Sequence, residues 1–298
     1  MPISWEALAA EPVTPIPFLI NPYIPEEGII LLYGKTRTGK SPLTWEIARC
    51  VGSGEPFFGH QTRAGRVLYL ELDTPKRLVQ PRLTQLPPAP NVWWEFISAL
   101  NLFQLGSQAL LREIQSKCYP DLVIVNTLRA VHYGDEKDAS LPLRIYKTFQ
   151  AIFLGAAILF VHHDKKSSGD PTDSSDPDEA FSGHMAWLNH CQTGIHLLKS
   201  GGNTSVKGIL RLKHSKSQVS AEASDLILKL DEGGTHLVLY SSQRLLQLLT
   251  VYQALPVEAG KTERVRIVAK QVGLSERQVW TYLSRLPEAT EVLKTHDI

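Results

Sequence analysis

The stretch Gly28-Ile29-Ile30-Leu31-Leu32-Tyr33-Gly34-Lys35-Thr36-Arg37-Thr38-Gly39-Lys40-Ser41-Pro42 runs from an apolar strand pattern into a glycine-flanked turn ending in Lys-Ser. Gly34 to Ser41 fit G-x-x-x-x-G-K-[ST], and an amphipathic run, residues 43–50, follows at once. Strand, loop and helix in that order make an anion site. Successive backbone N–H groups and a helix N-terminus converge on phosphate, and glycine permits the close approach. Residues Gly34, Lys35, Thr36, Arg37, Thr38, Gly39, Lys40, Ser41 and Pro42 are therefore expected to hold ATP. Lys40 would reach the β- and γ-phosphates, and the Ser41 hydroxyl would hold Mg²⁺.

Working outward, apolar runs alternate with helical periods through most of the chain, which predicts an α/β fold with a twisted, mostly parallel sheet. The strands are expected at residues 29–33, 67–72, 94–97, 122–126, 157–162, 194–199, 209–213 and 236–240. Short, glycine-bearing connections between the last of these suit antiparallel hairpins added at a sheet edge. Residues 1–26, rich in proline, read as a strap over the core, 27–242 as the main domain and 243–298 as a small all-α domain. The polar segment 165–179 lacks apolar residues to bury and reads as a long loop.

In the last part, three helical periods cover 245–255, 262–272 and 275–286. Ala269, Gly273-Leu274-Ser275 and Val279 have the spacing of a helix-turn-helix, with a small residue at the crossing and glycine in the turn. Arg277, Trp280, Thr281 and Arg285 then share an outward face suited either to DNA or to a neighbouring protein.

Bulk properties narrow the function. The chain has 31 Lys+Arg against 30 Asp+Glu, so any nucleic-acid contact must be local rather than a globally basic surface. Cys50, Cys118 and Cys191 are odd in number and far apart, which fits a reducing cytoplasm better than a disulfide framework. The most apolar stretch, 151–161, is shorter than the roughly 20 residues a membrane helix needs. Residues 1–6 show no basic-then-apolar export pattern, so a membrane or export role is not expected.

Other strand ends carry candidate chemistry. Glu71 and Asp73 stand at the carboxyl end of the second strand, where either would orient an attacking water. Their shared parity suggests that both face one way. Asp73 is favoured because it lies nearer the end. Its plainer alternative is capping of the helix that begins near Pro75. Asn126 closes the next apolar run, at the position expected for a Mg²⁺-holding aspartate; its amide oxygen accepts a hydrogen bond from a magnesium-bound water but brings no charge. Weaker turnover is expected, and if the chemistry is merely crippled by the missing charge, Asn126→Asp is expected to raise it. His162 and His163 stand at the end of the fifth expected strand, placed to sense the γ-phosphate and pass its state to the loop that follows.

Together, the phosphate loop, residues 67–83, the segment 123–132 with Thr127-Leu128-Arg129, and Phe160-Val161-His162-His163 resemble the RecA-type ATPases of the plasmid RepA-like hexameric helicase group. The likeness covers residues 5–239. It implies a RecA-like P-loop core assembled with itself as a ring or filament, a hexamer by kinship, with ATP and Mg²⁺ between subunits and DNA as partner. On that resemblance Asp73 takes the catalytic acidic position, and His162 and His163 take the sensor position. Residues 208–216 resemble the segment that supplies a neighbour's finger, with Arg211 as first choice and Lys213 and Lys216 behind it. Two departures stand out: Asn126 itself, and Phe181-Ser182-Gly183-His184, which lacks an arginine before its glycine. The terminal helix-turn-helix, winged or not, lies outside the resemblance. A second possibility is a nucleotide-gated adaptor that binds ATP for assembly and recruits a protein partner with little hydrolysis.

Overall fold

The computed structural model describes residues 2–135, 138–163, 186–199, 209–231, 233–240, 251–252, 255, 260–272 and 275–283. The chain divides into two compact units, Met1–Val238 and Leu239–Ile298. The loop expected at 165–179 and the segment 181–184 lie outside the described residues, as does Arg285.

Strands β1 (Phe18–Ile20) and β2 (Ile24–Pro25) form a small antiparallel ribbon. They are followed by β3 (Gly28–Gly34), α2 (Lys40–Ser53), β4 (Val67–Glu71), α3 (Lys76–Leu83), β5 (Val92–Phe96), α4 (Leu105–Cys118) and β6 (Leu122–Asn126). Next come α5 (Leu141–Ile152), β7 (Ala157–His163), the short α6 (Ala186–Asn189), β8 (Thr193–Lys199), β9 (Ile209–Ser217), β10 (Leu226–Leu230) and β11 (Leu237–Leu239). Nine strands make one sheet in the order β11-β10-β9-β8-β3-β7-β6-β4-β5. From β8 to β5 every pairing is parallel, and β9 and β10 add antiparallel at the other flank, as the short late connections predict.

A parallel sheet covered on both faces needs strands that are apolar throughout, and Ile-Ile-Leu-Leu-Tyr, Leu-Val-Ile-Val and Ala-Ile-Leu-Phe-Val are fully buried. Alternation sorts their side chains. Ile30, Leu32, Ile124 and Leu159 pack with Leu43, Ile47 and Val51 of α2, whereas Ile29, Leu31, Val123 and Phe160 pack with Ile145 and Phe149 of α5. Helix α5 buries Leu141, Ile145, Tyr146, Phe149 and Ile152, the i, i+4 stripe that faces a sheet.

Two local readings change. Residues 2–17 are exposed throughout, and the first helix, α1 (Trp5–Ala10), buries no residue although Ser4 caps it. The chain joins the core at β1 and β2, through Leu19, Ile20, Tyr23 and Ile24, so of the strap expected over residues 1–26 only the last part packs on the core. Strand β10 is the second difference. Only Leu228 of its five residues is fully buried, too little alternation to stand out in the sequence.

In the second unit, α7 (Lys261–Val272) and α8 (Glu276–Leu283) pack through Val265, Val268, Ala269, Val279 and Leu283, with Tyr252 completing the cluster. The buried Arg264 donates to the Tyr252 carbonyl at 2.6 Å and lies 4.1 Å over its ring. Arg277 and Trp280 are exposed on α8, and nothing is described of the Thr281 side chain. Most of the helix expected at 245–255 lies outside the described residues. Among the described residues no helix is long and apolar enough to cross a membrane.

Candidate nucleotide site

Because β3, β7 and β6 run parallel, their last residues, Gly34, His163 and Asn126, arrive at one edge of the sheet. Open parallel sheets bind ligands at this carboxyl edge. A cleft of about 300 Å³ opens there. Arg37, Gly39, Lys40, Ser41 and Pro42 line it from the loop, Asp73, Asn126 and His163 from the strand ends, and Arg82, Leu230 and Gly234 from elsewhere.

The loop is held by its own polar groups. Lys40 is buried, and its ammonium donates to the carbonyls of Gly34 at 2.6 Å and Lys35 at 2.9 Å. The Thr38 hydroxyl donates to the Lys35 carbonyl at 2.8 Å, while Lys35, Thr36 and Arg37 stand exposed at the tip. Gly39 caps α2 at φ 90°, a conformation that side-chain-bearing residues rarely adopt. Gly34 is tighter still, since a Cβ there would sit 2.4 Å from the Leu197 carbonyl oxygen on β8. Gly34→Ala is expected to destabilise the unit by about 1–3 kcal/mol, because backbone rather than a yielding side chain must shift. A denaturant melt checks this; an unchanged midpoint contradicts the close approach.

The two carboxylates separate. Asp73 is exposed and lines the cleft, whereas Glu71, 2% exposed, does not. Burial raises the Glu71 carboxyl above the usual carboxylate range, against hydrogen bonds from Asn126, Thr74 and Asp73 that hold it down. The expectation that both face one way fails for a plain reason: the strand stops at Glu71, so alternation does not extend to Asp73.

The histidines separate too. His163, in register with Gly34, lines the cleft. His162 is buried beneath, its ring 5.7 Å from that of Trp187.

Among the basic candidates, Arg211 forms an ion pair with Asp225 on the exposed side of β9. Lys216 donates to the carbonyls of Leu188 at 2.8 Å and Asn189 at 2.9 Å, closing α6, and burial lowers its pKa. Lys213 sits between them on the same strand, half-buried. None of the three lines the cleft of its own chain.

Ser41 and Asn126 offer two neutral oxygens at the cleft, a donor set that fits Mg²⁺, which keeps most of its waters and takes few protein ligands. Arg82 is a cleft residue that sequence reasoning misses. Its guanidinium lies 4.6 Å over the Trp45 ring and donates to the Gly234 carbonyl at 2.5 Å, so it reaches the cleft from α3. No motif marks it, because its placement depends on the late β10–β11 turn.

Residues 1–169 match the family model described as AAA domain. No curated protein sequence matches the chain significantly. Among solved structures, the chain is similar to an ATPase domain at TM-score 0.54 and 10% identity, covering 72% of this chain and 86% of that one. It is also similar to the KaiC-like protein PH0186 from the hyperthermophilic archaeon Pyrococcus horikoshii OT3, at TM-score 0.52 and 12% identity over 74% and 93% of the two chains. A third likeness is to a DnaB-like replicative helicase, described with its interactions with primase, at TM-score 0.54 and 12% identity; it covers 72% of this chain and 57% of that one. At such identities these likenesses carry the fold alone. The family match spans more than half of the sequence and includes the phosphate loop, so the chain belongs to the AAA domain family, and its core has the RecA-like fold.

Proposed function

We propose that this chain binds ATP with Mg²⁺, assembles with copies of itself so that a neighbour completes each site, and acts on DNA in the cytoplasm. The observation that supports this best is the convergence of Lys40, Ser41, Asp73, Asn126 and His163 on one cleft at the sheet edge. In this reading the loop N–H groups and Lys40 bind the β- and γ-phosphates. Asp73 orients the attacking water and takes its proton, and His163 follows the γ-phosphate. Ser41 and, through water, Asn126 hold Mg²⁺, which when bound neutralises charge on the phosphate oxygens. A basic residue from the adjacent copy then stabilises the transferred group. Lys213 joins Arg211 as a leading candidate, because Arg211 would first have to leave Asp225.

Within α8, the exposed Arg277 and Trp280 form the face offered to a DNA backbone or to another protein. A hexameric ring that unwinds DNA is the specific form suggested by the likeness to a replicative helicase.

The test is phosphate release with and without single-stranded DNA, paired with a mass measurement with and without ATP. Release that rises with DNA, on an assembled species, is the expected result. Assembly by ATP without release favours the second reading, a nucleotide-gated adaptor. The neutral Asn126 supports that reading, because binding at an interface stabilises the assembly without turnover. A chain that stays single and ignores nucleotide contradicts both.

A further inference from the structure

Glu71 ends β4 directly opposite Asn126 on the adjacent parallel strand β6, and both are buried. The Glu71 carboxylate accepts on both oxygens. Oε1 takes the backbone N–H groups of Thr74 at 2.9 Å and Asp73 at 3.2 Å, and Oε2 takes the side-chain amide Nδ2 of Asn126 at 2.8 Å. Only the NH₂ end of an amide suits a carboxylate at that distance, because two acceptor oxygens repel. The carbonyl end, Oδ1, is thus the end Glu71 does not take. Asn126 lines the phosphate cleft and Glu71 does not.

We propose that Glu71 is a positioning residue. It fixes the Asn126 amide so that an acceptor oxygen serves the cation side of the cleft, while the single negative charge of the pair is held one layer behind. The same carboxylate, through Oε1, ties down the turn that leads into Asp73. The inference rests on the nucleotide reading above for what enters the cleft, but the pairing itself does not depend on it.

The geometry makes the two single substitutions fail in different ways. Glu71→Gln keeps Oε1 for the backbone and places an NH₂ where Oε2 was. Two NH₂ groups then face each other, and the Asn126 amide must turn over, presenting a donor to the cleft. Asn126→Asp puts a second carboxylate oxygen against Glu71 in a buried place, which is unfavourable without a partner. The expectation that Asn126→Asp alone raises turnover is revised accordingly. The double variant E71Q/N126D reverses the hydrogen bond instead: the introduced glutamine donates its NH₂ to the introduced aspartate, its carbonyl oxygen stays on the backbone N–H groups, and the charge moves to the cleft.

The experiment is a double-mutant cycle with two readouts, thermal unfolding without nucleotide and ADP affinity with Mg²⁺ against affinity with a chelator. Each single variant is expected to melt lower than the unchanged chain, and the double to recover most of the loss. Glu71→Gln should weaken the Mg²⁺-dependent gain in ADP affinity about tenfold and leave metal-free affinity nearly unchanged, the size of about 1.4 kcal/mol of lost interaction. E71Q/N126D should restore or exceed that gain. Additive melting shifts overturn the pairing. Coupled melting with an unmoved Mg²⁺ dependence in all variants overturns the positioning role. If the unchanged chain binds no nucleotide, the functional reading falls and this role falls with it, whatever the melting cycle shows.

Discussion

Lys40→Ala is expected to abolish useful nucleotide binding, with affinity for ATP and ADP falling at least ~100-fold. The ammonium is buried, held by two loop carbonyls at 2.6 and 2.9 Å, and its residue lines the cleft. When phosphate enters, those carbonyls give way to anionic oxygens, and hydrogen bonds to charged groups contribute about 1.5–3 kcal/mol each. Two of them amount to roughly 3 kcal/mol or more, two orders of magnitude in Kd. Titration with a fluorescent ADP measures this, and a melt of the nucleotide-free variant separates binding from folding. Wild-type affinity in a folded Lys40→Ala chain would end the phosphate-loop reading.

The second large effect belongs to turnover. Asp73→Asn should leave ATP affinity within a few-fold and lower kcat by roughly 10²- to 10⁴-fold, the range that a positioned general base supplies. Asp73 is exposed and beyond the strand end, so its isosteric replacement leaves the core alone. Single-turnover phosphate release is the measurement. Full activity in Asp73→Asn would move the role elsewhere, and the buried, fully engaged Glu71 is poorly placed to take it.

What the sequence reveals follows from where the physics is local. The phosphate loop is legible because a strand, a glycine turn and a helix must be consecutive, and Gly34 to Ser41 are. Strands β3, β6 and β7 are legible because burial on both faces demands unbroken apolar runs. The ribbon β1–β2 and strand β10 are short or half-buried, so prolines and mixed polarity hide them. The site divides in the same way. Its strand-end residues follow from strand ends, but which of Glu71 and Asp73, or of His162 and His163, turns to the cleft depends on where alternation stops. Arg82 and Gly234 meet across 152 positions, and no local pattern records that meeting.

Strand β3, which delivers the phosphate loop, is flanked by β7 on one side and β8 on the other. Neither neighbour begins before Ala157. A nascent chain on the ribosome therefore holds its nucleotide-binding segment, through the synthesis of everything up to β7, without a sheet partner on either edge. Loop-closure entropy makes such distant pairings slow. The segment that would first touch ATP consequently gains its first sheet partner only once β7 is made, and it needs protection from sticking to other chains until then.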